Sequence, residues 1–141
     1  MQYSFEHNDA NEEKWSRRAS TYDNKRYDYF RFMQQALISS IKIKSPIYLL
    51  DLGCGTGWAV RYVARKMNEN GKFVGIDISG AMIDKAKVNS IGLQNVEFYK
   101  ANSEDLPFPN NYFETIICSN SFHHYLHPEI VLCEVKRTLK P

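Results

Sequence analysis

The sequence predicts an α/β protein built on a doubly wound parallel sheet. Three observations indicate this fold class: short apolar runs alternate with segments of helical periodicity, a glycine-rich loop follows the first apolar run, and the unit of strand, loop and helix then repeats. Strands that alternate with helices favour parallel pairing through right-handed crossovers. A chain of 141 residues with 43% hydrophobic content is long and apolar enough for one domain with a buried core.

The N-terminal region is predicted to be a polar arm followed by one helix near residues 24–41. The apolar residues at three- and four-residue steps in this helix are Phe30, Met33, Leu37 and Ile41. Ser45 and Pro46 are expected to end the helix. The chain is therefore divided into a helical arm or lid, residues 1–44, and an α/β domain, residues 45–141.

The first strand, loop and helix follow directly. An apolar run at residues 47–50 closes with Asp51 and three glycines, and helical spacing continues to residue 67, before Asn70 and Gly71. Later strands are predicted at residues 72–77, 96–101 and 114–121. Later helices are predicted at residues 81–89, with Ser79 as N-cap, and 128–139, with Pro128 in the first turn. The turn-rich stretch LPFPNNYF joins the third and fourth strands.

Composition narrows the class of ligand. The 18 basic and 16 acidic residues leave a formal charge of +2, too small to favour a nucleic acid or a membrane surface as partner. No apolar run approaches the roughly 20 residues of a membrane helix. Cys54, Cys118 and Cys133 have no paired spacing, and no signal-peptide pattern opens the chain, which indicates a reducing, cytoplasmic location. We expect a soluble domain that binds a small molecule.

The stretch DLGCGTG at residues 51–57 is the first candidate binding loop, because ligands of such sheets lie beyond the carboxyl ends of the strands. Its glycines leave backbone that a ligand can approach closely. Asp77 ends the second strand, where a carboxylate can accept hydrogen bonds from both ribose hydroxyls. Each feature alone is also consistent with an ordinary glycine turn or a capping aspartate. Together they favour an adenosine-containing cofactor.

Two common adenosine ligands do not fit this loop. The dinucleotide fingerprint GxGxxG, counted from Gly53, requires a third glycine where Trp58 stands. A phosphate-binding P-loop requires a lysine that the loop lacks. A nicotinamide oxidoreductase and a nucleoside triphosphatase are therefore disfavoured.

Four motifs occur in order, LLDLGCGTG, FVGIDIS, ANSEDLPFPNNYFETIICSNSFHHY and EVKRTLKP. They resemble successive motifs of the class I S-adenosylmethionine-dependent methyltransferases, within the small-molecule branch that includes the ubiquinone/menaquinone-biosynthesis enzymes. The resemblance spans about residues 15–141. It implies a Rossmann-like sheet of strand order 3-2-1-4, S-adenosylmethionine as cofactor and methyl transfer to a small-molecule acceptor. The alternative is a catalytically inactive, methyltransferase-like domain that binds the cofactor or regulates another protein.

The resemblance assigns the cofactor contacts by position. The implied cofactor-binding residues are Asp51, Gly53, Cys54, Gly55, Gly57, Asp77, Ile78, Met82, Asn102, Ser103, Glu104 and Asn120. Asp51 and the glycine loop would hold the methionine part, Asp77 the ribose, and Ile78 and Met82 the adenine. Asn102 departs from the family, where the segment usually reads Asp-Ala-Glu, so its contact with adenine would lack charge assistance.

The stretch WSRRASTYD resembles the family's lid segment, in which Tyr22 lies over the methionine end of the cofactor. An aromatic face attracts a sulfonium cation, and a closed lid excludes water. The alternative is that Tyr22, with Tyr27 and its aromatic neighbours, only packs the arm onto the core. Trp15 is expected to pack.

The stretch SNSFHHYLH contains His123, His124 and His127. A zinc site is disfavoured, because the cysteines are scattered rather than paired, and no metal is expected. His123 or His124 could act as a general base beside the acceptor, so both are candidate catalytic residues together with Tyr22. The alternative is a polar loop that lines the pocket without proton transfer.

The motif EVKRTLKP is normally followed in relatives by a glycine pair and further strands. We therefore expect a truncated fold in which the fourth strand forms an edge of the sheet. Such a chain is expected to bind the cofactor weakly and to catalyse methyl transfer poorly. An apolar edge strand invites pairing with another chain. A homodimer through this edge is the predicted assembly.

Overall fold

Five helices and four strands alternate in the computed structural model, which describes residues 2–24, 28–43, 47–67 and 70–141. The helices are α1 (Gln2–Arg18), α2 (Asp28–Ser40), α3 (Trp58–Lys66), α4 (Gly80–Asn89) and α5 (Pro128–Thr138). The strands are β1 (Ile47–Leu52), β2 (Gly71–Asp77), β3 (Val96–Lys100) and β4 (Thr115–Ile117). A short 3₁₀ helix at Phe122–His124 precedes α5.

The four strands form one parallel sheet in the order β3-β2-β1-β4. This is the predicted fold class and strand order, and both are confirmed. Because β1 lies inside the sheet, alternate residues of this strand are buried on opposite faces. Leu49 packs with the helices that contain Ile38 and Val60, and Leu50 packs with Val131 of α5 on the other face. The carboxyl ends of β1 and β2 therefore lie side by side at one edge of a rigid core.

The N-terminal arm differs from the prediction. Residues 2–18 form the helix α1, whereas the sequence pattern predicted a helix only near 24–41. The segment QYSFEHNDANEEKWSRR has no sustained apolar stripe, so periodicity gave no signal. Tertiary contacts hold α1 instead, including a bond of 2.9 Å between the hydroxyls of Ser16 and Ser79. Lys100 of β3 also forms an ion pair with Glu12.

The fourth strand is shorter than predicted, with regular pairing at Thr115–Ile117 rather than over residues 114–121. Beyond β4 the chain turns into the site, where Asn120 has a positive φ of 60°. In the described residues β4 pairs with β1 on one side. Just before β4, Leu139 forms a parallel bridge to Phe113, so the chain after α5 already covers the start of this edge.

Several sequence predictions fall outside the described residues. These are the helix end at Ser45 and Pro46, the domain boundary between residues 44 and 45, and the packing of Tyr27. Within the described part of the chain, every helix is too short or too polar to cross a bilayer.

Candidate active site

A cavity opens at the carboxyl ends of β1 and β2, beneath α1. Its empty volume is about 830 Å³, including space that is open to solvent. The predicted site residues that line it are Tyr22, Gly53, Cys54, Gly55, Asp77, Ile78, Met82, Asn102, Ser103, Asn120 and His124. Residues from five separate segments of the sequence thus meet in one cavity.

Four predicted site residues do not line the cavity, namely Asp51, Gly57, Glu104 and His123. Glu104 instead accepts a hydrogen bond of 3.3 Å from the backbone N–H of His127, at the start of α5. The ring of His123 lies against that of His124, with centroids 3.9 Å apart. Of the two candidate bases, His124 is therefore the one that faces the cavity.

Two glycines of the loop lack a side chain for different structural reasons. At Gly57, which caps α3 in the left-handed region with φ 76°, an added Cβ would lie 2.6 Å from the ring of Phe98. At Gly55, φ is 54° and the nearest atom to an added Cβ is 3.6 Å away, in the ring of Tyr22. Gly57 thus admits close packing of the core, whereas Gly55 leaves backbone exposed to the cavity under Tyr22.

Asp77 links the end of β2 to this loop. Its carboxylate accepts one bond of 2.9 Å from the backbone N–H of Gly55 and another of 2.9 Å from that of Ser79. Burial raises the pKa of Asp77 above its ordinary value, and these backbone donors oppose the rise. Each carboxylate oxygen keeps a second acceptor site, so Asp77 can bind further donors in the cavity.

Asp51 is a buried carboxylate with a relative exposure of 1%. Neither of its oxygens has a hydrogen-bond donor among the described residues. Burial, followed by the nearby charge of Asp77, raises the pKa of Asp51 well above its ordinary value. A buried carboxylate without a donor costs free energy, so the folded protein favours the protonated, neutral form of Asp51.

The segment after β3 forms the floor of the cavity. The side-chain oxygen of Asn102 accepts a bond of 3.0 Å from the backbone N–H of Glu104, which fixes the turn. The Asn102 amide nitrogen is a donor, so this residue can donate to a ligand or accept on its remaining lone pair. Met82, with 1% relative exposure, and Ile78 add apolar lining at the same end.

Helix α1 brings polar and aromatic groups over the cavity. Trp15 was expected only to pack, but it lines the cavity and contacts Tyr22 and His124 edge-on, with centroids 6.1 and 5.0 Å away. The side-chain amide of Asn11 donates a bond of 3.1 Å to the backbone carbonyl of His124. The arm is thus joined to the loop that follows β4.

His124 is neutral at physiological pH. Burial lowers its pKa from 6.5 to about 4, and the nearby charges of His123, Lys14 and Arg18 act in the same direction. A neutral imidazole accepts a hydrogen bond readily but holds a transferred proton weakly. His124 is therefore better suited to orienting an acceptor hydroxyl than to storing its proton.

Tyr125 is a site residue that the sequence analysis missed. Its hydroxyl accepts a bond of 3.2 Å from Ser103 and donates one of 3.4 Å to Ser121, which in turn donates 2.8 Å to the carbonyl of Leu52. Burial raises the pKa of Tyr125, so the phenol stays protonated. An aromatic residue directly after the two histidines was the only sequence signal for this network.

No group of histidines, cysteines or acids in the described residues is arranged to hold a metal ion. Cys54, Cys118 and Cys133 are free thiols. His127 lies at the N-cap of α5, away from the cavity lining.

The fold and the cavity define a class: a doubly wound sheet whose first loop is glycine-rich and whose second strand ends in an aspartate that lines the same cavity. The family described as Methyltransferase domain matches residues 49–141. The chain belongs to this family, within the class I S-adenosylmethionine-dependent methyltransferases. The predicted family, and S-adenosylmethionine as the cofactor of that family, are confirmed.

Three similar proteins illustrate the relationship. A ubiquinone/menaquinone biosynthesis C-methyltransferase UbiE of Francisella tularensis subsp. novicida is 32% identical over 114 residues, which cover 79% of this chain and 46% of the relative. The UbiE of Escherichia fergusonii is 38% identical over 96 residues, covering 66% of this chain and 38% of the relative. A SAM dependent methyltransferase from Aquifex aeolicus superposes with a TM-score of 0.78 at 30% identity, covering 89% of this chain and 68% of that one.

The chain spans less than half the length of these two UbiE relatives.

Proposed function

We propose that this chain binds S-adenosylmethionine in the cavity and transfers its methyl group to a small-molecule acceptor. The observation that carries the proposal is the carboxylate of Asp77 on the cavity wall, beside the exposed backbone of Gly55, whereas Asp51 is buried behind the glycine loop and outside the cavity lining. Asp77 retains acceptor sites for a ribose diol, and Asp51 has no donor of its own in the described structure. A ligand with a ribose diol satisfies Asp77.

The residues of the chain would divide the binding as follows. Ile78 and Met82 would enclose the adenine, with Asn102 at its polar edge. Asp77 would hold the ribose. The backbone of Gly55, beneath the ring of Tyr22, would leave room for the methionine part, with Asp51 buried behind the loop.

The bound cofactor supplies an electrophilic methyl group on a sulfonium. The task of the chain is then to exclude water and to hold the acceptor in line. Tyr22 and Trp15 would close the cavity with aromatic faces, which also favour a nearby cation. His124, neutral at pH 7, would accept a hydrogen bond from the acceptor and so orient its nucleophilic atom.

The lining supports an uncharged acceptor. Asp77 is the one carboxylate, and no lysine or arginine is present, among the described residues that line the cavity. The arm side instead presents the amides of Asn8, Asn11 and Gln34 together with Trp15. Such a surface can hydrogen-bond a neutral polar molecule, whereas a carboxylate or phosphate acceptor would lack a counter-charge there.

Two measurements test this function. Calorimetric titration with S-adenosylhomocysteine should give binding, with no competition from a nicotinamide dinucleotide. Incubation with methyl-labelled S-adenosylmethionine and a panel of neutral and anionic acceptors should label neutral ones first. Binding without any transfer would favour the regulatory alternative, and absence of binding would refute the proposal.

Two further predictions stay open. A homodimer would have to pair along the outer edge of β4. In the described structure Leu139 bridges to Phe113, just before β4, and leaves Thr115–Ile117 available for pairing on that edge. The cytoplasmic location predicted from the sequence also stays a prediction.

A further inference from the structure

One carboxylate outside the proposed binding residues joins four parts of the molecule. The Asp23 carboxylate accepts a bond of 2.7 Å from the hydroxyl of Thr56 in the glycine loop and one of 3.0 Å from the side-chain amide of Asn89 at the end of α4. Arg31 of α2 donates to both the carboxylate, at 3.2 Å, and the backbone carbonyl of Asp23, at 3.0 Å.

Positive charge surrounds this carboxylate. Lys85 of α4 lies 4.0 Å from it and also donates to the carbonyl of Ser20. Arg61 of α3 is buried, with 7% relative exposure, and donates to the backbone carbonyl of Thr56. The side chain of Asp23 is only 23% exposed, so its bonds are partly shielded from water.

Asp23 directly follows Tyr22, whose ring packs over Gly55. Tyr22 and Asp23 therefore both contact the same loop. The Tyr22 ring packs over Gly55, and the Asp23 carboxylate accepts a hydrogen bond from Thr56, the residue after Gly55. A displacement of Asp23 would move Tyr22 away from the loop and loosen its contact with Trp15.

We propose that Asp23 is a positioning residue that latches the N-terminal arm onto the glycine loop through Thr56 and so holds Tyr22 over the cavity. This proposal rests on the proposed function only for its effect on the cofactor. The latch itself is formed by residues of this chain without a ligand.

Asp28 provides a matched control. It pairs with the same Arg31 at 3.1 Å, but its side chain is 60% exposed, and the structure gives it no contact with the glycine loop. Thr56 offers a second matched pair, because Thr56→Ser keeps the hydroxyl and Thr56→Val removes it at nearly constant size.

Limited trypsin digestion without ligand tests the latch. Arg17 and Arg18, at the end of α1, are exposed cleavage sites, and Lys136 of α5 is an exposed internal reference. Asp23→Asn and Thr56→Val should speed cleavage at Arg17 and Arg18 by about tenfold relative to Lys136, the equivalent of one charge-assisted hydrogen bond. Asp28→Asn and Thr56→Ser should cleave as the wild type does.

Titration with S-adenosylhomocysteine tests the consequence. Asp23→Ala should weaken its affinity about tenfold, and adding Thr56→Val to Asp23→Ala should weaken it no further, because Asp23→Ala already removes the bond between Asp23 and Thr56. Equal acceleration at Lys136, or unchanged cleavage at Arg17 and Arg18, would overturn the latch. If the latch variants cleave faster but the wild type does not bind the ligand, the latch stands and the proposed function fails.

Discussion

Replacing Asp77 tests the two roles of its carboxylate, which are the proposed binding of the ribose and the hydrogen bonding of the nearby backbone. Asp77→Ala removes the acceptor proposed for the ribose and also frees the backbone N–H groups of Gly55 and Ser79, each bonded at 2.9 Å. Two hydrogen bonds to a charged acceptor correspond to about 2 to 4 kcal/mol of cofactor affinity, or roughly 30- to 800-fold. Asp77→Asn keeps one acceptor oxygen and should fall between the alanine variant and the wild type.

The assay is calorimetric titration with S-adenosylhomocysteine, accompanied by thermal unfolding of each variant without ligand. The unfolding data are needed because the glycine loop depends on the Gly55 bond. If Asp77→Ala stays folded and binds as tightly as the wild type, the assignment of the ribose to Asp77 is wrong.

Three other changes give distinct outcomes. Gly57→Ala forces a Cβ to 2.6 Å from the ring of Phe98 at a φ of 76°, so chemical denaturation should show a loss of about 2 kcal/mol or more. Asp51→Asn should stabilise the ligand-free protein above about pH 4, where the carboxyl group ionises in the unfolded chain but stays protonated in the folded one; lower stability of the variant in denaturation at pH 7 would contradict this. His124 should titrate near pH 4 by NMR, and the stability that its neutral form provides should be lost as the pH falls from 6.5 towards 4. His123→Ala and His124→Ala should leave cofactor affinity nearly intact; loss of affinity in folded His124→Ala would refute its placement on the acceptor side, and the same loss in folded His123→Ala would contradict its position outside the cavity lining.

The sheet could be predicted because its signals are local and redundant. The apolar run before Asp51, the glycines and the second strand ending at Asp77 each predicted the same parallel unit. The strand order 3-2-1-4 was predicted from the resemblance to the methyltransferase family rather than from these local signals. The position of the glycine loop was also predicted from the sequence. The absence of a side chain at Gly57, however, allows packing against Phe98 as well as access for a ligand.

The arm and the far wall of the cavity could not be predicted in the same way. Helix α1 is stabilised by contacts to distant parts of the chain, such as Ser16 with Ser79, which leave no periodic pattern. The direction of a side chain on a loop is equally non-local. Glu104 turns towards the N-terminus of α5, whereas Tyr125 turns into the cavity, and spacing alone does not distinguish them.

A crystal structure of this chain with S-adenosylhomocysteine tests the central claim most directly. The account predicts the ligand in the cavity, with its ribose hydroxyls within about 3.2 Å of the Asp77 carboxylate, its adenine between Ile78 and Met82, and Tyr22 over its amino-acid end. An empty cavity at saturating ligand, or a ligand bound with its ribose away from Asp77, would contradict it.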